Sequence, residues 1–147
     1  LKISKKKLFL IGPIGRDIEI KNYLNNEVIY LGKKEYTQLY KYYSSADLLC
    51  LLSKEEGFSM VLGQCLSCGT PLISSNVSGA QHLIKDDLHG YVYNHYNEEK
   101  IIKKVNFFYK NIKRIRSNKK TLSKNFKDQH SWDKSVEKLL TTIDNFN

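Results

Sequence analysis

No apolar run in this sequence approaches the roughly 18 residues that a membrane-spanning helix needs. The basic start, Leu1 to Gly12 (LKISKKKLFLIG), has only a short apolar stretch, which ends at Gly12-Pro13 without a small-residue cleavage site. It reads as a strand and not as a secretory signal. Cysteine is scarce and odd in number: Cys50, Cys65 and Cys68 all lie inside apolar stretches. That argues against a disulfide framework and predicts reduced thiols in a cytoplasmic protein. Cys65-x-x-Cys68 supplies two of the four ligands of a structural zinc site, and no second pair follows. His82, His89, His95 and His130 are scattered without ligand spacing, so no metal is expected. There is no internal repeat. Gly12-Pro13-Ile14-Gly15 lacks the Lys-Ser/Thr of a P-loop. No nucleic-acid motif accompanies the basic charge, so nucleic acid is not the expected partner.

What is present is an ordinary globular balance. The chain has 147 residues, 41% apolar and 27% charged, enough for one domain with a hydrophobic core. It begins with Leu1, and the expectation is that a further part precedes it. The formal charge of +9 favours an anionic partner, whether nucleic acid, an acidic membrane surface or a phosphorylated ligand. A Lys-, Asn-, Ile- and Tyr-rich composition also arises from genomic bias alone.

Continuous apolar strands alternate with helices. Lys7 to Ile11 reads as a buried strand, Asp17 to Leu24 as a short helix and Val28 to Leu31 as a second strand closed by Gly32. Glu35 to Ser44 reads as a helix, with Leu39 and Tyr43 on one face, and Asp47 to Leu52 as a third strand. Phe58 to Ser67 is predicted helical, with Gly69 as its C-terminal cap. Pro71 to Ser74 is a fourth strand, Ala80 to Ile84 a short helix, Asp86 to Gly90 a turn and Tyr91 to Tyr93 a fifth strand. Asn97 caps a helix whose Ile101, Val105, Phe108, Ile112 and Ile115 recur at three- and four-residue steps. A last helix is predicted from Asp133 to Ile143. The implied fold is α/β, a Rossmann-like three-layer domain with a parallel sheet. Ligands of such sheets bind at the C-terminal strand ends, here the loops Gly12 to Arg16, Gly32 to Tyr36, Ser53 to Ser59 and Ser74 to Ala80.

The segment Ser53 to Ile84 carries the chemistry. A strand ends at Ser53, Glu56-Gly57 follows, and a helix begins. A helix N-terminus offers free N–H groups and a positive dipole end, an anion site suited to a diphosphate. Gly57 allows close backbone approach, and Glu56 can accept hydrogen bonds from sugar hydroxyls. Gln64 lies about two helical turns further on a similar face. Taken alone, Glu56-Gly57 is equally a plain helix start, and Gln64 an ordinary helix residue.

This segment resembles the signature of retaining glycosyltransferases of family 4, E-G-F-G-x-x-x-x-E-A-x-A-x-G-x-P-V-I. It matches at Glu56-Gly57-Phe58-Ser59 and at Gln64 to Ile73. Ser78-Gly79-Ala80, Asp87-Leu88-His89-Gly90, Leu31-Gly32, Ser45-Ala46-Asp47 and His130-Ser131-Trp132-Asp133 also resemble family motifs, in the family's order. The resemblance implies one half of a GT-B fold: residues 1–147 as a nucleotide-sugar-binding C-terminal domain that lacks its first strand-helix unit and the N-terminal acceptor domain. It implies retaining transfer of a sugar from a UDP- or GDP-sugar to a glycan or lipid acceptor, without a cofactor or bound metal. Glu56 takes the catalytic position facing the donor sugar. Gly57, Phe58, Ser59 and Met60 contact sugar and phosphates. Gln64 stands at the ribose site, Gly32 and Lys33 lie near the base, and Gly12 borders the donor.

Two departures stand out. Gln64 replaces a ribose-binding carboxylate and lacks its charge-assisted strength. The Arg…Lys pair that neutralises the diphosphate has no equivalent. The fragment alone is expected to be inactive, because transfer needs both reactants in one cleft. The alternative is a non-catalytic nucleotide- or partner-binding module on this fold; a basic nucleic-acid-binding domain is a further one. The eleven Lys/Arg between Lys100 and Lys127 read as a solvated helix face or as peripheral attachment to an anionic membrane surface.

Overall fold

The computed structural model describes residues 6–15, 18–84 and 87–145. Arg16, Asp17 and Asp86, which figure in the expectations above, lie outside them. The chain forms two compact units, Leu1–Leu39 and Tyr40–Asn147, with the boundary inside one helix.

In the first unit, β1 (Leu8–Ile11) and β2 (Val28–Gly32) pair in parallel, with Leu8 opposite Val28 and Ile11 opposite Gly32. The buried strand expected at Lys7 to Ile11 forms, but Leu8, Phe9 and Ile11 are exposed. One reason is local. The helix expected over Asp17 to Leu24 shrinks to a 3₁₀ turn, Ile20–Tyr23, with no buried residue. So short an element offers no apolar stripe to lay over a sheet face.

Helix α1 (Tyr36–Ser45) leads into the second unit. There β3 (Leu49–Leu51), β4 (Leu72–Ser75) and β5 (Gly90–Tyr93) form a parallel sheet in the order β3-β4-β5. The remaining helices are α2 (Met60–Ser67), α3 (Glu98–Lys110), α4 (Ile112–Gln129) and α5 (Trp132–Asp144). Successive strand residues point to opposite faces. Leu72 accordingly joins Leu62 and Leu66 of α2 and Leu122 and Phe126 of α4 in one core cluster. Ile73, the next residue, joins Ile101 and Phe108 of α3 and Ile115 of α4 in another. The second unit is thus three-layered, its sheet covered on both faces, as the unalternating strands require.

The predicted single helix through Ile115 is instead two. Asn111 leaves helical geometry (φ −99°, ψ 16°), and its Nδ2 donates to the Phe107 carbonyl at 2.8 Å. That side-chain bond satisfies an end carbonyl of α3 and lets the chain turn. Ile112 and Ile115 therefore belong to α4. At the other end of α3 the expected cap is present: Asn97 Oδ1 accepts from the Lys100 amide at 2.9 Å.

Gly69 ends α2 with φ +74°, and a Cβ there would lie 2.0 Å from the Lys119 carbonyl oxygen. Close passage of α4, as well as backbone hand, demands glycine. Lys119 also donates to the Ser44 and Ala46 carbonyls at 2.6 Å each, closing the C-terminal end of α1. Helix α5 buries none of its residues, and its Trp132 is 87% exposed. No helix among the described residues is long and apolar enough to cross a membrane.

Candidate functional site

In the second unit, the C-terminal ends of β3 and β4 release two loops beside the start of α2. The first, residues 52–59, carries Glu56. Its carboxylate is exposed, and Oε2 accepts from Ser53 Oγ at 3.3 Å, which holds it near the strand end without burying it. Around Gly57 a Cβ would meet nothing within 4 Å. Glycine is not forced there by packing or by a left-handed backbone; its effect is to leave the space beside the chain open.

Helix α2 starts at Met60, two residues later than the sequence implies. Glu56 therefore lies in the loop, and Gln64 sits one turn into the helix instead of two turns along a shared face. The reason is Ser59: it is buried, stays extended (φ −75°, ψ 114°), and its amide donates to the Ser78 carbonyl at 3.1 Å. Its side chain makes no capping hydrogen bond. The first turn of α2 consequently has no side-chain cap on its amides, and the dipole leaves partial positive charge there. Met60 is exposed; Gln64 is half-buried and already engaged within the fold.

The second loop clamps the first. Gly79 has φ +80°, and a Cβ on it would lie 2.6 Å from Cδ2 of Phe58. The Phe58 ring, 63% exposed, rests on the bare glycine. Ser78 organises the turn: its Oγ donates to the Ser75 carbonyl at 2.6 Å and lies 2.7 Å from Ser74 Oγ, while its carbonyl receives the Ser59 amide. Ser75 Oγ is buried and, among the described residues, has no partner in ordinary hydrogen-bond geometry. In sequence, Ser78 and Gly79 stand out from this loop through their family-like motif, whereas Ser74 and Ser75 are no more than members of the loop. The only signal of Ser74 and Ser75 is a pair of small hydroxyls before a glycine, and burial is what distinguishes them.

The structure therefore gathers Gly57, Phe58 and Ser59 at the start of α2, with Glu56 and Met60 on its flanks. Gly12, Gly32 and Lys33 belong to the first unit. There the Gly12 amide donates to the Gly32 carbonyl at 3.2 Å, and the Tyr30 hydroxyl donates to the Gly12 carbonyl at 2.8 Å. Lys33 is exposed.

Cys50 is exposed and Cys68 partly buried, whereas the Cys65 thiol is structural. Cys65 is fully buried, its Sγ donates to the Thr70 carbonyl at 3.4 Å, and burial pushes its pKa well above the ordinary thiol range. That keeps it protonated and unreactive. Among the described residues, no group of three or more His, Cys, Asp or Glu is placed to hold a metal ion.

Comparison with known proteins gives this geometry a context. The family model "Glycosyl transferases group 1" matches residues 16–129. An uncharacterised glycosyltransferase of Methanocaldococcus jannaschii is 27% identical over 137 residues, covering 88% of this chain and 37% of its own. Among solved structures, HepE of Anabaena in complex with UDP superposes with TM-score 0.72 at 16% identity, over 95% of this chain and 41% of that one. Sucrose-phosphate synthase of Thermosynechococcus elongatus gives 0.74 at 19%, over 96% and 39%. At such identities the two structures speak for the fold alone. The chain spans less than half the length of these relatives.

Proposed function

The chain belongs to the glycosyl transferases group 1 family, and on that premise we propose that its second unit binds the nucleotide-sugar donor of a retaining, family 4 type sugar transfer. The observation that supports this most is the start of α2: an uncapped helix N-terminus, open space at Gly57 and a solvent-facing carboxylate at Glu56 occur within five residues. In the proposal, the first-turn amides of α2 receive the donor diphosphate. Glu56 accepts hydrogen bonds from hydroxyls of the transferred sugar, and Gln64 contacts the ribose. The donor is a UDP- or GDP-sugar, the acceptor a glycan or lipid, and no metal takes part. Transfer requires the acceptor in the same cleft; the whole protein is the object in which to seek it. A tract of eleven Lys/Arg between Lys100 and Lys127 supports peripheral attachment to an anionic membrane surface on the cytoplasmic side.

A second reading, a non-catalytic nucleotide-binding module, draws on Gln64, where the family resemblance calls for a carboxylate. Calorimetric titration with UDP, GDP, ADP and their glucose or mannose conjugates separates the two. The donor reading expects one nucleotide to bind with its affinity altered by the sugar, and Glu56→Ala to erase that difference. If Glu56→Ala discriminates as the wild type does, Glu56 does not face the sugar.

A further inference from the structure

We propose that a groove on the outer side of α3 is a binding site for the phosphate headgroup of an anionic lipid. The groove is open to solvent, has a volume of about 270 Å³ and is lined by Tyr91, Lys100, Lys103, Lys104 and Phe107. Its charge comes from one helix face, because the three lysines and Phe107 recur at three- and four-residue steps along α3. Lys104 is already held: its Nζ lies 3.3 Å from Asp87 Oδ1, 4.7 Å from the Tyr91 ring centre and 5.6 Å from that of Phe107. Among the described residues, no carboxylate lies within ion-pair distance of Lys100 or Lys103. The sequence offers no relief further along, since residues 100–127 contain not one Asp or Glu. Three ammoniums on one face with a single paired carboxylate repel one another, and a phosphodiester among them removes that repulsion.

A lipid fits better than a nucleic acid. Single-stranded nucleic acid would need free aromatic faces for stacking, whereas the Lys104 ammonium lies over both rings. Phe107, 39% exposed, sets apolar surface beside the cations. Cations flanked by aromatic side chains match the boundary between headgroups and acyl chains.

The site rests on the peripheral attachment proposed above and locates it. The test is co-sedimentation of the full chain with phosphatidylglycerol and with phosphatidylcholine vesicles, at several salt concentrations. The comparison is between Lys100→Gln/Lys103→Gln and a charge-matched control on α4, Lys120→Gln/Lys124→Gln. At about fivefold per lysine near an anionic surface, the groove pair is expected to lose about 25-fold, and the control distinctly less. Phe107→Ala should weaken vesicle binding without changing its salt dependence. Equal losses in the two double variants overturn the groove while leaving attachment standing. A wild type that ignores phosphatidylglycerol overturns both. Saturation by inorganic phosphate alone, or equal affinity for a single-stranded oligonucleotide, overturns the lipid assignment.

Discussion

Replacing Gly79 by alanine tests whether the two loops at the start of α2 act as one unit. Two penalties follow from the structure. A left-handed backbone, φ +80° here, costs a residue with a Cβ about 1–2 kcal/mol. The new methyl also lies 2.6 Å from Phe58 Cδ2, so the ring must retreat by about 1 Å to regain contact distance. Because the ring is largely exposed it can swing away, and the steric part should be modest, about 0.5–1 kcal/mol, the low end for touching residues. Phe58→Ala alone should cost about 1 kcal/mol, given how little of the ring is buried. In the double variant no ring is left to collide, so the combined loss falls short of the sum by the steric part. Urea unfolding followed by far-UV circular dichroism measures all three variants. Strict additivity would refute the claim that Phe58 rests on Gly79. If the loops also share donor binding, Gly79→Ala weakens nucleotide-sugar binding more than its effect on stability accounts for.

Acid should act partly through Asp47. The Arg116 guanidinium grips its carboxylate at 2.7 and 2.8 Å and holds its pKa below the ordinary value. A carboxylate with a depressed folded pKa contributes stability above its unfolded pKa and loses it as pH falls through the folded one. Wild-type stability should therefore drop below about pH 4 more steeply than that of Asp47→Asn, and parallel denaturation series across that range would decide it. Asn97→Ala, which removes the acceptor of the Lys100 amide, should cost about 1 kcal/mol of stability; an unchanged urea midpoint would mean that α3 does not depend on its cap.

Much of the second unit is legible in residue order. Leu49 to Leu51, Leu72-Ile73 and Tyr91 to Tyr93 are apolar without alternation, and a parallel strand covered on both faces needs that pattern. Asn97 announces the helix it caps. Other features are invisible because they depend on partners distant in sequence. Ser59 delays the start of α2 because its amide is taken by Ser78. The break at Asn111 interrupts an apolar period that runs on into α4, so periodicity alone passes over it. The three lysines of α3 look like any solvated face until Tyr91, on a strand, is set beside them.

Residue order alone suffices for the alternation of strands and helices, the cap of α3, and the string of motifs that carries the family resemblance. These are local properties of backbone preference and apolar spacing. Packing in three dimensions sends Leu72 and Ile73 to different cores, requires glycine at position 69 because α4 passes against it, and sets Phe58 on Gly79. Each of those depends on a close approach between segments far apart in the chain, and packing, not propensity, sets such distances.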